Sequence, residues 1–80
     1  MRRVKKSLRV IAENSNSPKR FYWRGNWLQV VSVIDKWCEI NNWWDDRGEL
    51  HFYVVLAHNF GVYELCLNEH GIWYLTRVFD

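Results

Sequence analysis

Residues 49–57, ELHFYVVLA, decide how this chain folds. Leu50, Phe52, Val54 and Leu56 fall on one side of an extended segment, and His51, Tyr53, Val55 and Ala57 on the other. Strict alternation marks a strand, and β-branched and aromatic residues suit a pleated, half-buried surface. The second side is also apolar, which predicts a central or covered strand. Downstream, His58-Asn59-Phe60-Gly61 reads as a turn, Val62–Leu67 as the returning strand with Tyr63, Leu65 and Leu67 on one face, Asn68–Gly71 as a second turn, and Ile72–Phe79 as a third strand. Short connections ending in Gly between such runs predict an antiparallel meander.

Working upstream, the pattern continues less regularly. Val4–Ala12 alternates, but Lys6 interrupts its apolar side, which predicts an edge strand at its start. Asn14–Pro18 is a loop. Lys19–Arg24 and Trp27–Ile34 read as a hairpin around Gly25-Asn26, with Gly first suggesting a type II′ turn. Residues 35–46, DKWCEINNWWDD, are ambiguous: Trp37, Ile40 and Trp44 stand near helical spacing, yet no cap opens a helix. The strand is read as continuing, through a bulge near Asp35–Trp37, to about Ile40. Trp43-Trp44 then form a short extended piece, and Asp45–Gly48 a turn. Trp37 and Trp73 are expected in the core. Trp43 and Trp44 are adjacent, so only one of them can face inward on a regular strand.

The expected fold is therefore all-β: one domain over residues 1–80, with 1–3 frayed, made of five to seven antiparallel strands and little or no helix. No helix is available to cover a sheet face, so the sheet must curl into a small barrel or a strongly bent sheet. The chain is 80 residues long and six of them are Trp, large side chains that compensate for a thin core.

The net charge of +2 conceals a division. Residues 1–24 carry Arg2, Arg3, Lys5, Lys6, Arg9, Lys19, Arg20 and Arg24 against Glu13, a balance of +7. The remainder balances at −5. No apolar run approaches the ~20 residues of a membrane span, and the basic start lacks the apolar core of a secretory signal, so a cytoplasmic protein with two free thiols is expected. Asp45 and Asp46 are neighbours that point apart on an extended chain, not an acid–base pair. Cys38, His51, His58, Cys66 and His70 lack the close spacing of structural zinc, and no Gly-rich phosphate loop is present. The expectation is a protein that is not an enzyme and has no metal and no cofactor.

What remains is 19-KRFYWRGNW-27, where cations interleave with rings. Arg20, Tyr22 and Arg24 share one face; Lys19, Phe21 and Trp23 share the other. A sheet face carrying Arg and Tyr can hold a phosphate backbone and stack a base. The candidate nucleic-acid contacts are Arg2, Arg3, Lys5, Lys6, Arg9, Lys19, Arg20, Tyr22 and Arg24, with stacking from whichever of Trp43 and Trp44 is exposed. The candidate partners are single-stranded nucleic acid or, alternatively, another protein or a second copy whose acidic surface meets the basic segment.

The order Trp23-Arg24-Gly25, Trp37, Trp43-Trp44-Asp45, Gly61-Val62-Tyr63-Glu64-Leu65 and Trp73-Tyr74-Leu75-x-Arg77-Val78-Phe79-Asp80 resembles a bacterial family of small uncharacterised domains found beside or within error-prone Y-family DNA polymerase cassettes. The resemblance spans about Leu8 to Asp80. It implies a setting in DNA repair or damage tolerance, with such a polymerase or a related repair protein as a further candidate partner, and it implies no catalytic residues.

Overall fold

The computed structural model describes residues 2–13, 17–41 and 48–79. Six strands follow one another: β1 (Arg2–Ala12), β2 (Pro18–Trp23), β3 (Asn26–Asn41), β4 (Gly48–Ala57), β5 (Val62–Leu67) and β6 (Trp73–Phe79). Every strand pairs antiparallel with its sequence neighbours, and β1 also pairs with β6, so the meander closes into a barrel. There is no helix among the described residues, and none long and apolar enough to cross a membrane.

Closure depends on two long strands that each serve two partners. β1 pairs with β6 over Arg2–Leu8 and with β2 over Arg9–Ala12. β3 pairs with β2 over Asn26–Gln29 and with β4 from Val30 to Asn41. The start of β1 is thus a paired strand and not the edge its Lys6 suggested. The ambiguous segment is strand as far as Asn41, and no helix competes. Its bulges fall at Val30/Ser32 and Val33/Asp35: the second reaches the start of the expected place, and the first is an additional one upstream. A bulge adds local twist, and two in succession bend β3 enough to curl the sheet.

The interior is filled by the His51-side face of β4, the face that looked secondary in the sequence. Tyr53, Val55 and Ala57 are buried there with Phe21, Leu65 and Leu75, and Phe21 meets Tyr63 edge-on with centroids 5.2 Å apart. Trp73 is buried in the same cluster, tilted against Tyr53, as expected of a core Trp. The opposite face of β4 is covered too. Trp37, Phe52, Cys66 and Tyr74 form a row across β3, β4, β5 and β6, with the Trp37 ring stacked on Phe52 at 5.2 Å. Trp37 is only half-buried in this outer cluster, and its indole N–H donates to Glu39 Oε2 at 2.8 Å. Burial pushes the Cys66 thiol up to about 12, with the Glu64 carboxylate adding to the rise.

The turns are set by local polar side chains. Asn59 Oδ1 accepts from Gly61 N–H, and Asn68 Oδ1 accepts from His70 and Ile72 N–H, each at 2.9 Å. Asn side chains imitate a backbone turn in this way. The β2–β3 turn differs from expectation. Trp23 pairs with Asn26, so the turn residues are Arg24 and Gly25, with φ of 51° and 82°. Positive φ at both places is type I′, whose twist matches the flanking strands.

Candidate nucleic-acid interface

β2 presents Tyr22 and Arg20 outward because Phe21 between them fills the interior. The register then decides their neighbours: Arg9 stands opposite Tyr22 on β1, and Trp27 opposite Tyr22 on β3. Tyr22 and Trp27 meet edge-on at 5.4 Å, both remaining about 40% exposed. The Arg20 guanidinium lies 5.7 Å from the centroid of the Trp27 ring. Two partly exposed rings and a guanidinium thus form one aromatic platform on the outer face of the sheet.

A groove opens beside this platform, for a topological reason. Before Arg9, β1 is paired with β6 and not with β2, so β1 and β2 splay apart on that side. The wedge between them is a cavity of about 490 Å³ lined by Lys6, Ser7, Leu8, Arg9, Tyr22, Trp23 and Arg24. Trp23 sits half-buried, with the Lys6 ammonium 6.0 Å from its ring centroid and the Arg24 guanidinium 5.3 Å.

Lys6, Arg9, Arg20 and Arg24 are exposed and have no ion pair among the described residues. Lys19 does: its Nζ lies 3.3 Å from Glu13 of the same basic segment. Arg77, from the acidic remainder, stands 3.7 Å from the buried Glu64, whose carboxylate also accepts the Thr76 hydroxyl at 2.7 Å. The two charged segments therefore do not cancel by direct pairing among the described residues. Four cations of the first segment, Lys6, Arg9, Arg20 and Arg24, gather on one surface.

The predicted set divides as follows. Lys6, Arg9, Arg20, Tyr22 and Arg24 come together around the wedge and the platform. Lys19 is tied to Glu13 at the other end of β2. Arg2 and Arg3 are placed by register opposite Val78 and Arg77 on β6. The side chains of Arg2, Arg3 and Lys5, and all of Trp43 and Trp44, lie outside the described residues. Arg24 is in the turn and not on the strand face assigned to it.

Two aromatic residues outside the candidate contacts, Trp27 and Phe60, join the surface, while Trp23, on the face opposite Tyr22, packs against the core and edges the wedge. Trp27 was accessible to strand parity, since a shift of the hairpin turn by one residue changes its partner but not its face. Phe60 was not, because a turn residue carries no periodicity. It is 88% exposed with φ of 67°, and Arg24 and Phe60 are the only described non-Gly residues with positive φ. Both occupy turns at the same rim of the barrel, where Asn59 and Arg24 line one cavity with Trp23 and Tyr63. A left-handed conformation costs an ordinary residue roughly 1–2 kcal/mol, and such strain concentrates at functional sites.

That strain has a measurable consequence. Phe60→Gly supplies a residue suited to positive φ and is expected to raise unfolding stability by about 0.5–1 kcal/mol. Arg24→Asn gains a similar amount but gives up the cation–π contact with Trp23, so its stability should change little. If this surface holds nucleic acid, either change should weaken oligonucleotide binding at the rim. Urea denaturation checks the first effect and oligonucleotide titration the second.

Among known protein families, the one described as Domain of unknown function (DUF6504) matches over residues 2–80. No curated protein and no solved structure matches the chain.

Proposed function

We propose that this chain, which belongs to that family of unknown function, is a non-catalytic accessory module that binds single-stranded nucleic acid across β1, β2 and the start of β3. The observation that carries this is the clustering of Lys6, Arg9, Arg20 and Arg24, unpaired among the described residues, around the rings of Tyr22, Trp23 and Trp27. Cations along a groove neutralise a phosphate backbone, and adjacent exposed rings stack bases whatever their identity. Exposed rings suit an unpaired strand, since a duplex would keep its bases away from the platform. The resemblance to domains of error-prone polymerase cassettes supports a role in damage tolerance, where single-stranded template is present.

The test is a titration of intrinsic tryptophan fluorescence with an oligothymidylate at several salt concentrations. Four phosphate contacts, from Lys6, Arg9, Arg20 and Arg24, predict a slope of log K against log salt of about −3, since each contact to a single strand contributes about −0.7. Saturating oligonucleotide that changes neither fluorescence nor anisotropy at low salt overturns the proposal.

One observation favours a protein-docking role instead. The acidic side chains Glu49 and Glu69 lie at the rim of the β3–β4 and β5–β6 connections, opposite the rim that carries Arg24. A second copy of the chain could set its acidic rim against the basic one. Sedimentation velocity at low and high salt decides this: a salt-sensitive dimer supports it, and a monomer at every concentration removes it.

A further inference from the structure

Away from the basic surface, β3 and β4 bring three metal-binding side chains together. Cys38 stands directly opposite His51 in the β3–β4 register, and Glu49 lies two residues before His51 on the same face of β4. Their ligand atoms, Cys38 Sγ, a Glu49 carboxylate oxygen and a His51 ring nitrogen, all lie within 4.8 Å of one another. No close sequence spacing announces the group. The hairpin register assembles it from positions 11 and 13 residues apart.

The distances fit one coordination geometry. Zinc bonds of about 2.3 Å to sulfur and about 2.0 Å to oxygen or nitrogen place tetrahedral neighbours about 3.5 Å and about 3.3 Å apart. Cys38 Sγ lies 3.6 Å from Glu49 Oε2, and His51 Nε2 lies 3.4 Å from the same oxygen. Two of the three separations match, and Cys38 Sγ lies within 4.8 Å of the His51 ring nitrogen, so a side-chain adjustment closes the set around a single ion. The thiol at present donates to the carboxylate; an ion would take the place of that proton, which passes to solvent. Thiolate, carboxylate and neutral imidazole would balance a doubly charged ion. Glu49 and His51 also line a cleft of about 640 Å³, with Asn68, Glu69 and Trp73 on its far side, so a fourth position is open to water or a small ligand.

We infer that Cys38, Glu49 and His51 form a binding site for one divalent ion of the zinc class, chosen by a mixed sulfur, nitrogen and oxygen set that magnesium and calcium do not favour. This site is independent of the nucleic-acid surface.

The experiment is titration of the metal-free protein with Co²⁺, a zinc surrogate, followed by Zn²⁺ displacement. One equivalent of Co²⁺ should produce a thiolate-to-metal charge-transfer band and the intense visible bands of a four-coordinate ion. Cys38→Ser should remove the charge-transfer band. His51→Gln should weaken Zn²⁺ binding by at least about a hundredfold, the upper range for losing a mere supporting partner. Thiol labelling gives a second readout, whose wild-type arm does not depend on any variant folding. Cys66 is buried and its thiol protonated, so native protein should take up one maleimide, at Cys38. Stoichiometric Zn²⁺ should protect that thiol in the wild type, a chelator should restore labelling, and His51→Gln should lose the protection. Absence of saturable binding, cobalt bands that survive Cys38→Ser, or labelling unaffected by Zn²⁺ would each overturn the inference.

Discussion

Replacing Arg9, Arg20 and Arg24 together by Gln is expected to lower the affinity for a single-stranded oligonucleotide by about a hundredfold at 0.1 M salt. The magnitude follows from counterion release. Each neutralised phosphate contact contributes about 0.7 to the salt slope, which at 0.1 M salt amounts to roughly fivefold in affinity, and three contacts multiply. The same variant should flatten the slope from about −3 to about −1, a change that loss of folding does not produce. The fold should persist, since all three side chains are exposed and their removal exposes no core. The cation–π contacts of Arg20 with Trp27 and Arg24 with Trp23 are the folded-state interactions given up, each contributing roughly 0.5–1 kcal/mol at an exposed site. Fluorescence anisotropy of a labelled oligonucleotide, measured for both proteins across a salt series, checks the affinity and the slope together.

The second large effect is on stability. Phe21→Ala is expected to destabilise the barrel by about 3–5 kcal/mol, the cost of truncating a fully buried aromatic side chain. Phe21 has no exposed surface, packs between β1 and β3, and supports the Tyr63 ring edge-on. A domain of 80 residues has a total stability of only about 4–12 kcal/mol, so this one truncation removes much of it. Each kcal/mol shifts the melting temperature of such a domain by about 4–8 °C, so a fall of at least ~12 °C is expected in a circular-dichroism melt. Tyr22→Ala, one position along, removes an outward ring and should cost no more than about 1.5 kcal/mol. Equal losses in the two variants would mean that β2 does not alternate as described.

The contrast between these neighbours shows what was legible in the sequence. Alternation placed Phe21 and Tyr22 on opposite faces, and the strand periods of β4, β5 and β6 were plain because each strand is bounded by a turn with its own chemistry. Which face of β4 is interior was not legible. Both faces are apolar, and the outer one is covered by side chains from β3, β5 and β6 that only the closed register brings near. Closure itself was expected from the want of any helix, but the pairing of β1 with β6 spans nearly the whole chain and leaves no local trace. The β2–β3 turn was read one residue late and as type II′, because Arg24 is an unusual occupant of positive φ. On the candidate surface, the cations were legible from composition, whereas the wedge that gathers Lys6 and Arg9 with Trp23 and Arg24 arises from a strand changing partners. The Cys38–Glu49–His51 group escaped for the related reason that cross-strand spacing is fixed by register, and a bulge expected near Asp35 does not by itself say which β4 residue stands opposite Cys38.

The central claim is that single-stranded nucleic acid lies on β1, β2 and the start of β3. Backbone amide chemical-shift mapping by NMR during titration with an oligothymidylate tests it most directly. The expected result is perturbation concentrated at residues 6–11, 20–24 and 26–29 and at Phe60, with β4 and the outer row of Phe52, Cys66 and Tyr74 unmoved. Perturbations centred on β4 and β5, or none at saturating oligonucleotide and low salt, would contradict it.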